Sequence, residues 1–286
     1  MSEALENGRP VTVIYIAGLG HSGSTLLELL LASHPDVVGM GEIALQVERL
    51  LLSPSSSAGE EPCSCGATAR DCEFWGELVA KPWFDRKVAY EGVFTRFGEM
   101  FPGKVLVDSS KGFRHLARYG AANPKGDVRP LLILRDFRGW ALSRSHTNQR
   151  KERRDLGYVF ACYHWMAANF LLIWRLSRTQ SFIHVAYEDL VFSPQLGLQR
   201  VCEALGLSYD ESMLEMDALA HNVLGNRMKS DARKNRRLWY DHRWMMSSRL
   251  SLLSPLVFPV HLYQVLQQWW LEGHEKRRLR GRTRTS

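Results

Sequence analysis

The chain has 286 residues, 45% apolar and 23% charged, with nine Trp, nine Tyr and twelve Phe. That composition can bury a core unaided and excludes both a disordered chain and a small disulfide scaffold. The net charge of +7 points to an anionic partner, but residues 276–286 hold six basic residues and no acid, leaving +1 for the other 275, so any basic site in the body is a local cluster.

Met1 to Pro10 is polar, and the apolar run after it spans seven residues with no basic leader or small-residue cleavage site. No signal peptide is expected. Five cysteines, an odd number, argue against a secreted disulfide framework, so the expected location is cytoplasmic. Val11 to Ala17 is β-branched and continuously apolar, the pattern of a strand covered on both faces. A glycine-rich turn follows, then a helix over Ser24 to Ser33. Ser53 to Arg70, rich in Ser, Gly, Pro and Cys, reads as a surface insertion. Further strands are predicted at Lys104 to Val107, ending at Asp108, at Pro130 to Leu134, ending at Arg135, and at Ser181 to Ala186, ending at Tyr187. Each strand is followed by a helical segment, which predicts an open, mostly parallel α/β sheet. Ligands of such sheets sit beyond the carboxyl ends of the strands.

Tyr158 to Trp174 lacks Asp, Glu, Lys and Arg but contains His164 and Asn169. It falls short of the ~20 residues that span a bilayer and is expected as a buried helix. Leu250 to Leu271 is apolar, interrupted by Pro255 and Pro259, and predicts a C-terminal helix closing the core, with a peripheral membrane contact as the alternative. One domain is expected over 1–275, with a cysteine-bearing insertion at 53–75 and a basic tail at 276–286.

Gly18-Leu-Gly-His-Ser-Gly-Ser-Thr25 joins the first strand to the first helix. Glycines there let successive N–H groups turn inward, and with the helix N-terminus they make an anion cradle. Gly18, Gly23 and Thr25 have the spacing of a Walker A loop, but Ser24 stands where its lysine belongs. A kinase or NTPase relies on that lysine to reach the β- and γ-phosphates, so the loop reads as phosphate-binding without being an ordinary ATP site.

His21-Ser-Gly-Ser-Thr25 resembles the donor loop of sulfotransferases that use 3′-phosphoadenosine 5′-phosphosulfate (PAPS). Arg135 at a strand end, with Ser143 eight residues later, resembles the family's second motif, whose Arg and Ser hold the donor's 3′-phosphate. A guanidinium fork and a helix hydroxyl suit that group. The segment from Ser33 to Glu42 resembles the "HPDV…GE" stretch of the tyrosylprotein and bacterial branches, whose Glu is the general base. Val107-Asp-Ser-Ser-Lys111 resembles the segment that brings a lysine to the transferring sulfuryl group. Tyr187-Glu-Asp-Leu190 is similar to the "YEDL" whose Tyr lies against the nucleotide. His221 to Lys229 resembles, more loosely, the loop that closes over the donor.

The resemblance therefore implies a three-layer P-loop NTPase-like fold and PAPS as co-substrate. It implies Gly20, His21, Ser22, Gly23, Ser24, Thr25, Arg135, Ser143, Tyr187, Asn226, Arg227 and Lys229 as donor-binding residues, and Glu42, His21 and Lys111 as catalytic ones.

Sulfuryl transfer needs a base for the acceptor, a cation at the leaving group and accurate positioning. Glu42 is the candidate base. The family usually places Lys or Arg where this chain has His21. An unperturbed imidazole, with pKa near ~6.5, is a less secure cation, so Lys111 is expected to share that load. No metal is assigned to the reaction, and Asp108 is expected as a structural acid. Two other readings are weighed: a P-loop nucleotide or small-molecule kinase, and a non-enzymatic nucleotide- or nucleic-acid-binding module using the tail.

Cys63, Cys65 and Cys72 fall within ten residues. Structural pairing or free thiols are the favoured reading. Zinc is the alternative, its set completed by a histidine elsewhere. The basic runs at 150–154 and 233–237 lack a nucleic-acid motif and are expected as solvated faces, the second beside the donor-closing loop, where it would attract a polyanionic donor. No nucleic-acid partner is expected. The acceptor, whether small molecule, lipid, glycan or peptide, and the oligomeric state have no readable code.

Overall fold

The N-terminal apolar run forms β1 (Val13–Gly18), all six residues of it buried. In the computed structural model, which describes residues 10–124, 126–147, 154–179, 181–216, 220–224 and 238–282, it is followed by α1 (Ser24–Ala32), β2 (Val37–Gly39) and α2 (Ile43–Gln46), which continues as a π-helical turn over Val47–Leu52. Next come α3 (Gly76–Val79), α4 (Arg86–Met100), β3 (Val105–Lys111), α5 (Phe113–Ala122), β4 (Val128–Leu134), α6 (Phe137–Thr147) and α7 (Arg154–Thr179). The described chain ends with β5 (Ile183–Ala186), α8 (Tyr187–Phe192), α9 (Pro194–Leu205), α10 (Ser248–Leu252) and α11 (Phe258–Arg282).

The strands form one mostly parallel sheet in the order β2-β3-β1-β4-β5, with helices on both faces. The four predicted strands are all present. β2 was not foreseen: it is three residues long, inside a polar turn-like stretch, too short to carry a period of its own. β3 runs past its predicted end because Asp108, Ser109 and Ser110 stay extended.

The described contacts group into two compact units. The first comprises Met1–Ala17, Ser24–Leu131 and Leu198–Arg237. In it β2 and β1 pair in parallel with β3, and the β1–β3 register slips between Tyr15↔Asp108 and Ala17↔Lys111. That slip inserts one extra residue in β3, a bulge, and Lys111 there has φ 69, in the left-handed region. Tyr15, Tyr90 and Phe94 each pack on Tyr119 at 5.3 Å between ring centroids. The Ser53 to Arg70 stretch, expected as a surface insertion, is only partly surface, since Ala58, Cys63 and Ala69 are buried.

The second unit comprises Gly18–Gly23, Leu132–Gly197 and Leu238–Ser286. Its core gathers Phe137, Trp140, Tyr158, Cys162, Trp165, Val257 and Val260. The charge-free stretch of α7 is amphipathic rather than fully buried, with Tyr158, Cys162 and Trp165 inside and Phe160, Phe170 and Trp174 exposed. α11 sends Val260 and Leu271 inward and leaves Leu262, Leu266 and Trp269 exposed. It continues through the start of the expected tail to Arg282. No helix among the described residues is long and apolar enough to cross a membrane.

Candidate active site

Seven of the residues singled out for the donor lie within the second unit: Gly20, His21, Ser22, Gly23, Arg135, Ser143 and Tyr187. The loop between β1 and α1 turns sharply, with Ser22 N–H donating to Leu19 O at 3.2 Å and the Trp140 indole N–H donating to Gly20 O at 2.6 Å. Gly23 has φ 95, and a Cβ there would collide with the Tyr187 ring. Both facts restrict the position to glycine. His21 has φ 70, uncommon for a side-chain-bearing residue and tolerated best by Asn, Asp and His. Its carbonyl accepts from Arg135 Nη1 at 3.2 Å, and its Nδ1 lies 3.3 Å from Ser143 Oγ.

Arg135 follows β4 and is 8% exposed. Its guanidinium lies 4.6 Å from the Tyr187 ring centroid and pairs with Asp241 at 3.6 Å. The hydrogen bond from Arg243 holds Asp241 below the usual carboxylate range. Arg135 Nε and Nη2 nevertheless find no hydrogen-bond acceptor among the described residues, and neither does the buried Ser22 Oγ. Arg138, the other arginine of the motif, is different: Asp136 already takes its Nε and Nη2 at 3.0 and 2.7 Å. A buried donor left unsatisfied costs ~1–3 kcal/mol, more when charged. Among the described residues, Arg135 and Ser22 thus keep buried donors without an acceptor. Gly20 closes the turn in the same unit. Ser24 and Thr25, both buried, open α1 in the first unit.

The first unit holds the second set. Lys111 Nζ lies 2.7 Å from Glu42 Oε1, with side chains 19% and 22% exposed. Asp108 fixes the backbone beside Glu42. Its fully buried carboxylate accepts from Ile43 N–H at 3.0 Å, from Ser110 N–H and Oγ at 3.0 and 2.6 Å, and from the Tyr119 hydroxyl. Burial pushes its pKa up to about 6, against these hydrogen bonds, which pull it down. Ser110 Oγ accepts from Ala44 N–H at 2.9 Å. The buried Glu28 of α1 accepts from Gly41 N–H at 2.5 Å and Ser109 Oγ at 2.6 Å. The turn bearing Glu42 is thus fastened to α1 and β3. Asp108 acts on the backbone, as a structural acid does.

Glu28, Ser109 and Tyr119 were not foreseen, since a lone Glu in an apolar helix and a Tyr in a short helix carry no local motif. Asp241 was missed for the same reason. Asn226, Arg227 and Lys229, and the basic runs apart from Arg154, lie outside the described residues. The cysteines form no disulfide; Cys63, Cys65 and Cys72 gather instead with His221.

Among proteins of curated function none matches the chain. Of the solved structures, the sulfotransferase domain of the Synechococcus PCC 7002 olefin synthase superposes with a TM-score of 0.57 at 20% identity, over 92% of this chain and 96% of that one. The sulfotransferase domain from the curacin biosynthetic pathway gives 0.53 at 18% identity, over 87% and 98%. A Mycobacterium avium sulfotransferase gives 0.50 at 12% identity, over 89% and 77%. At such identities the likeness establishes the shared fold. The profile of the sulfotransferase family matches residues 13–211. The chain belongs to the sulfotransferase family and is an enzyme that transfers sulfuryl groups.

Proposed function

We propose that the sulfuryl donor is PAPS, that Arg135 and Ser143 bind its 3′-phosphate, and that Glu42 and Lys111 serve the transfer to a hydroxyl acceptor. The observation that carries this reading is the pair of orphan donors on Arg135. A buried guanidinium whose Nε and Nη2 lack a hydrogen-bond acceptor among the described residues, Nη2 having only the 3.6 Å ion pair with Asp241, and which is flanked by a hydroxyl on the next helix, suits the acceptors of a phosphate. The backbone of Gly20 to Thr25 and the α1 N-terminus suit the second, 5′-side anion. Tyr187 supplies an aromatic face beside Arg135.

In the transfer, the acceptor oxygen forms a bond to sulfur as the bond from sulfur to the bridging phosphate oxygen breaks. The electron pair stays on the leaving phosphate of 3′-phosphoadenosine 5′-phosphate (PAP). Glu42 takes the acceptor proton. On the family resemblance, Lys111 and His21 are the cations for the growing charge, since a positive group held ready at the leaving oxygen stabilises it without reorganisation. The chemistry asks for no metal, because the donor has no triphosphate to clamp. Amines are the less suited acceptors, being protonated at neutral pH. The PAPS reading is separated from the kinase reading by Ser24 in place of the Walker lysine.

The test is calorimetric titration of the full chain with PAP and with 5′-AMP. PAP, which carries the extra 3′-phosphate, should bind far more tightly. Arg135→Ala should weaken PAP about 100-fold, the worth of two charged hydrogen bonds at ~1.5 kcal/mol each, and leave 5′-AMP within a few-fold of wild type. Equal affinities of the wild-type chain for the two nucleotides overturn the assignment.

A further inference from the structure

The first unit holds a cluster that the transfer reaction does not use. Cys63, Cys65, Cys72 and His221 each offer one ligand atom, and these four atoms all lie within 4.8 Å of one another. Cys63 Sγ and Cys72 Sγ are 3.5 Å apart, too far for a disulfide, and Cys72 Sγ is 3.2 Å from His221 Nδ1. A tetrahedral zinc with Zn–S of ~2.3 Å and Zn–N of ~2.0 Å sets S···S edges of about 3.8 Å and S···N edges of about 3.5 Å. The Cys63–Cys72 and Cys72–His221 separations lie within about 0.3 Å of these edges, and the remaining pairs, all within 4.8 Å, need to close by at most about 1.3 Å.

The backbone around it is organised as a ligand clasp. Cys63 N–H donates to Ala67 O at 2.8 Å and Gly66 N–H to Cys63 O at 2.9 Å. With Gly66 at φ 95, these bonds curl the Cys63–Ala67 turn so that its two thiols approach Cys72. The histidine arm is held just as firmly. Ser64 N–H donates to Asn222 O at 2.9 Å, Asn222 N–H returns to Ser64 Oγ at 2.8 Å, and the Trp75 indole donates to His221 O at 2.5 Å. Phe74 stacks on the His221 ring at 5.9 Å, with Phe101 tilted against it at 6.0 Å. His221 sits at φ 35, a left-handed conformation that this network maintains at an energetic cost. A histidine carried in from 149 residues away, strained and fixed beside three thiols, exceeds what packing alone requires.

We propose that Cys63, Cys65, Cys72 and His221 bind one structural Zn²⁺. Three sulfurs and one imidazole are a soft tetrahedral set that favours zinc over hard cations, and four protein ligands leave no open position for substrate. The metal's role is mechanical. It fastens the 221–224 segment to the 63–75 turn, and residues 226–229, the candidate donor-closing stretch, follow directly in sequence. This replaces thiol pairing as the reading of the cysteines and leaves the donor chemistry metal-free.

The experiment is elemental analysis of the full chain, purified without a histidine tag or chelator under reducing conditions from zinc-replete cells. One zinc per chain is expected, falling below half in both Cys65→Ser and His221→Ala. Cys65 is exposed, so Cys65→Ser remains folded and informative even if His221→Ala does not. Replacement by Co²⁺ should give thiolate-to-cobalt charge-transfer bands and the intense visible bands of tetrahedral cobalt. A folded wild-type chain without zinc and without those bands overturns the proposal. So does a Cys63–Cys72 disulfide in that protein, another metal at one per chain, or full zinc retention in Cys65→Ser. None of these readouts depends on sulfuryl transfer, so failure here leaves the donor assignment standing.

Discussion

Asp108 and Glu42 are acids close in the fold whose surroundings give them different work. Asp108 is wholly buried, has no cationic partner in its hydrogen-bond set, and has a folded-state pKa raised to about 6 from an ordinary 3.8. A raised carboxyl pKa means that the folded chain holds the proton more tightly than the unfolded chain. Its stabilising share is complete below about pH 4 and is lost as the pH rises through 6. Asp108→Asn, which cannot titrate, should flatten that window. Urea unfolding at several pH values should show the difference between the two proteins changing by on the order of 3 kcal/mol across it; parallel curves would contradict the assignment. Glu42, ion-paired to Lys111, is the proposed base. Glu42→Gln should lower turnover by roughly 10²–10⁴-fold with PAP affinity unchanged, read as PAP release from PAPS with a hydroxyl acceptor. His21→Gly keeps the left-handed backbone and removes the imidazole, so a rate loss in that variant belongs to the ring, and wild-type turnover would remove His21 from the chemistry.

Among the elements, the β1–α1 loop shows how close packing dictates sequence. At Gly23 a methyl would meet the Tyr187 ring in a backbone region unfavourable to side chains. Gly23→Ala should therefore cost on the order of 1–3 kcal/mol and displace the loop, abolishing measurable PAP binding in calorimetry while circular dichroism stays native. The loop, β1 and β4 were legible because each is a long apolar run or a dense motif, and β3 and β5 because each is a short apolar, largely β-branched stretch that ends in a polar residue before a helical segment. β2 was not, because three residues cannot display a period. The bulge that ends β3 at Lys111 was also hidden: it is a property of register between two strands, and Asp108-Ser-Ser reads locally as a turn. The resemblance still named Lys111, since a short motif survives the misplaced strand end. Glu28 was illegible for a related reason. Its partners, Gly41 and Ser109, are brought to it only by the sheet.

At the scale of the molecule, the opening charge of +7 loses its first meaning. Much of it is carried by the C-terminal stretch, part of which belongs to α11, while the proposed anion site rests on the buried Arg135. Binding at such a site stabilises the folded chain by mass action. PAP at about 100 times its dissociation constant should add ~2.7 kcal/mol to unfolding, raising Tm by several degrees in a chain of this size. Arg135→Ala should lose the shift at the same concentration, and 5′-AMP should give little of it. An unchanged Tm for wild type with PAP would count against the site. The acceptor was illegible throughout, because its recognition belongs to no short motif.

The span from Cys72 to His221 also bears on how the protein is made. Synthesis runs from the N-terminus, so the three thiols leave the ribosome long before the histidine that joins them. At ~5–20 residues per second that interval is on the order of 10–30 s for the 149 residues between them. For that time the nascent chain carries three neighbouring unprotected sulfurs, and the first unit cannot complete itself until α9 (Pro194–Leu205) and His221 have emerged. Wrong pairing of those thiols by an oxidant would then precede folding rather than follow it. The yield of active protein should be more sensitive to redox conditions during translation than the finished enzyme is to the same conditions afterwards.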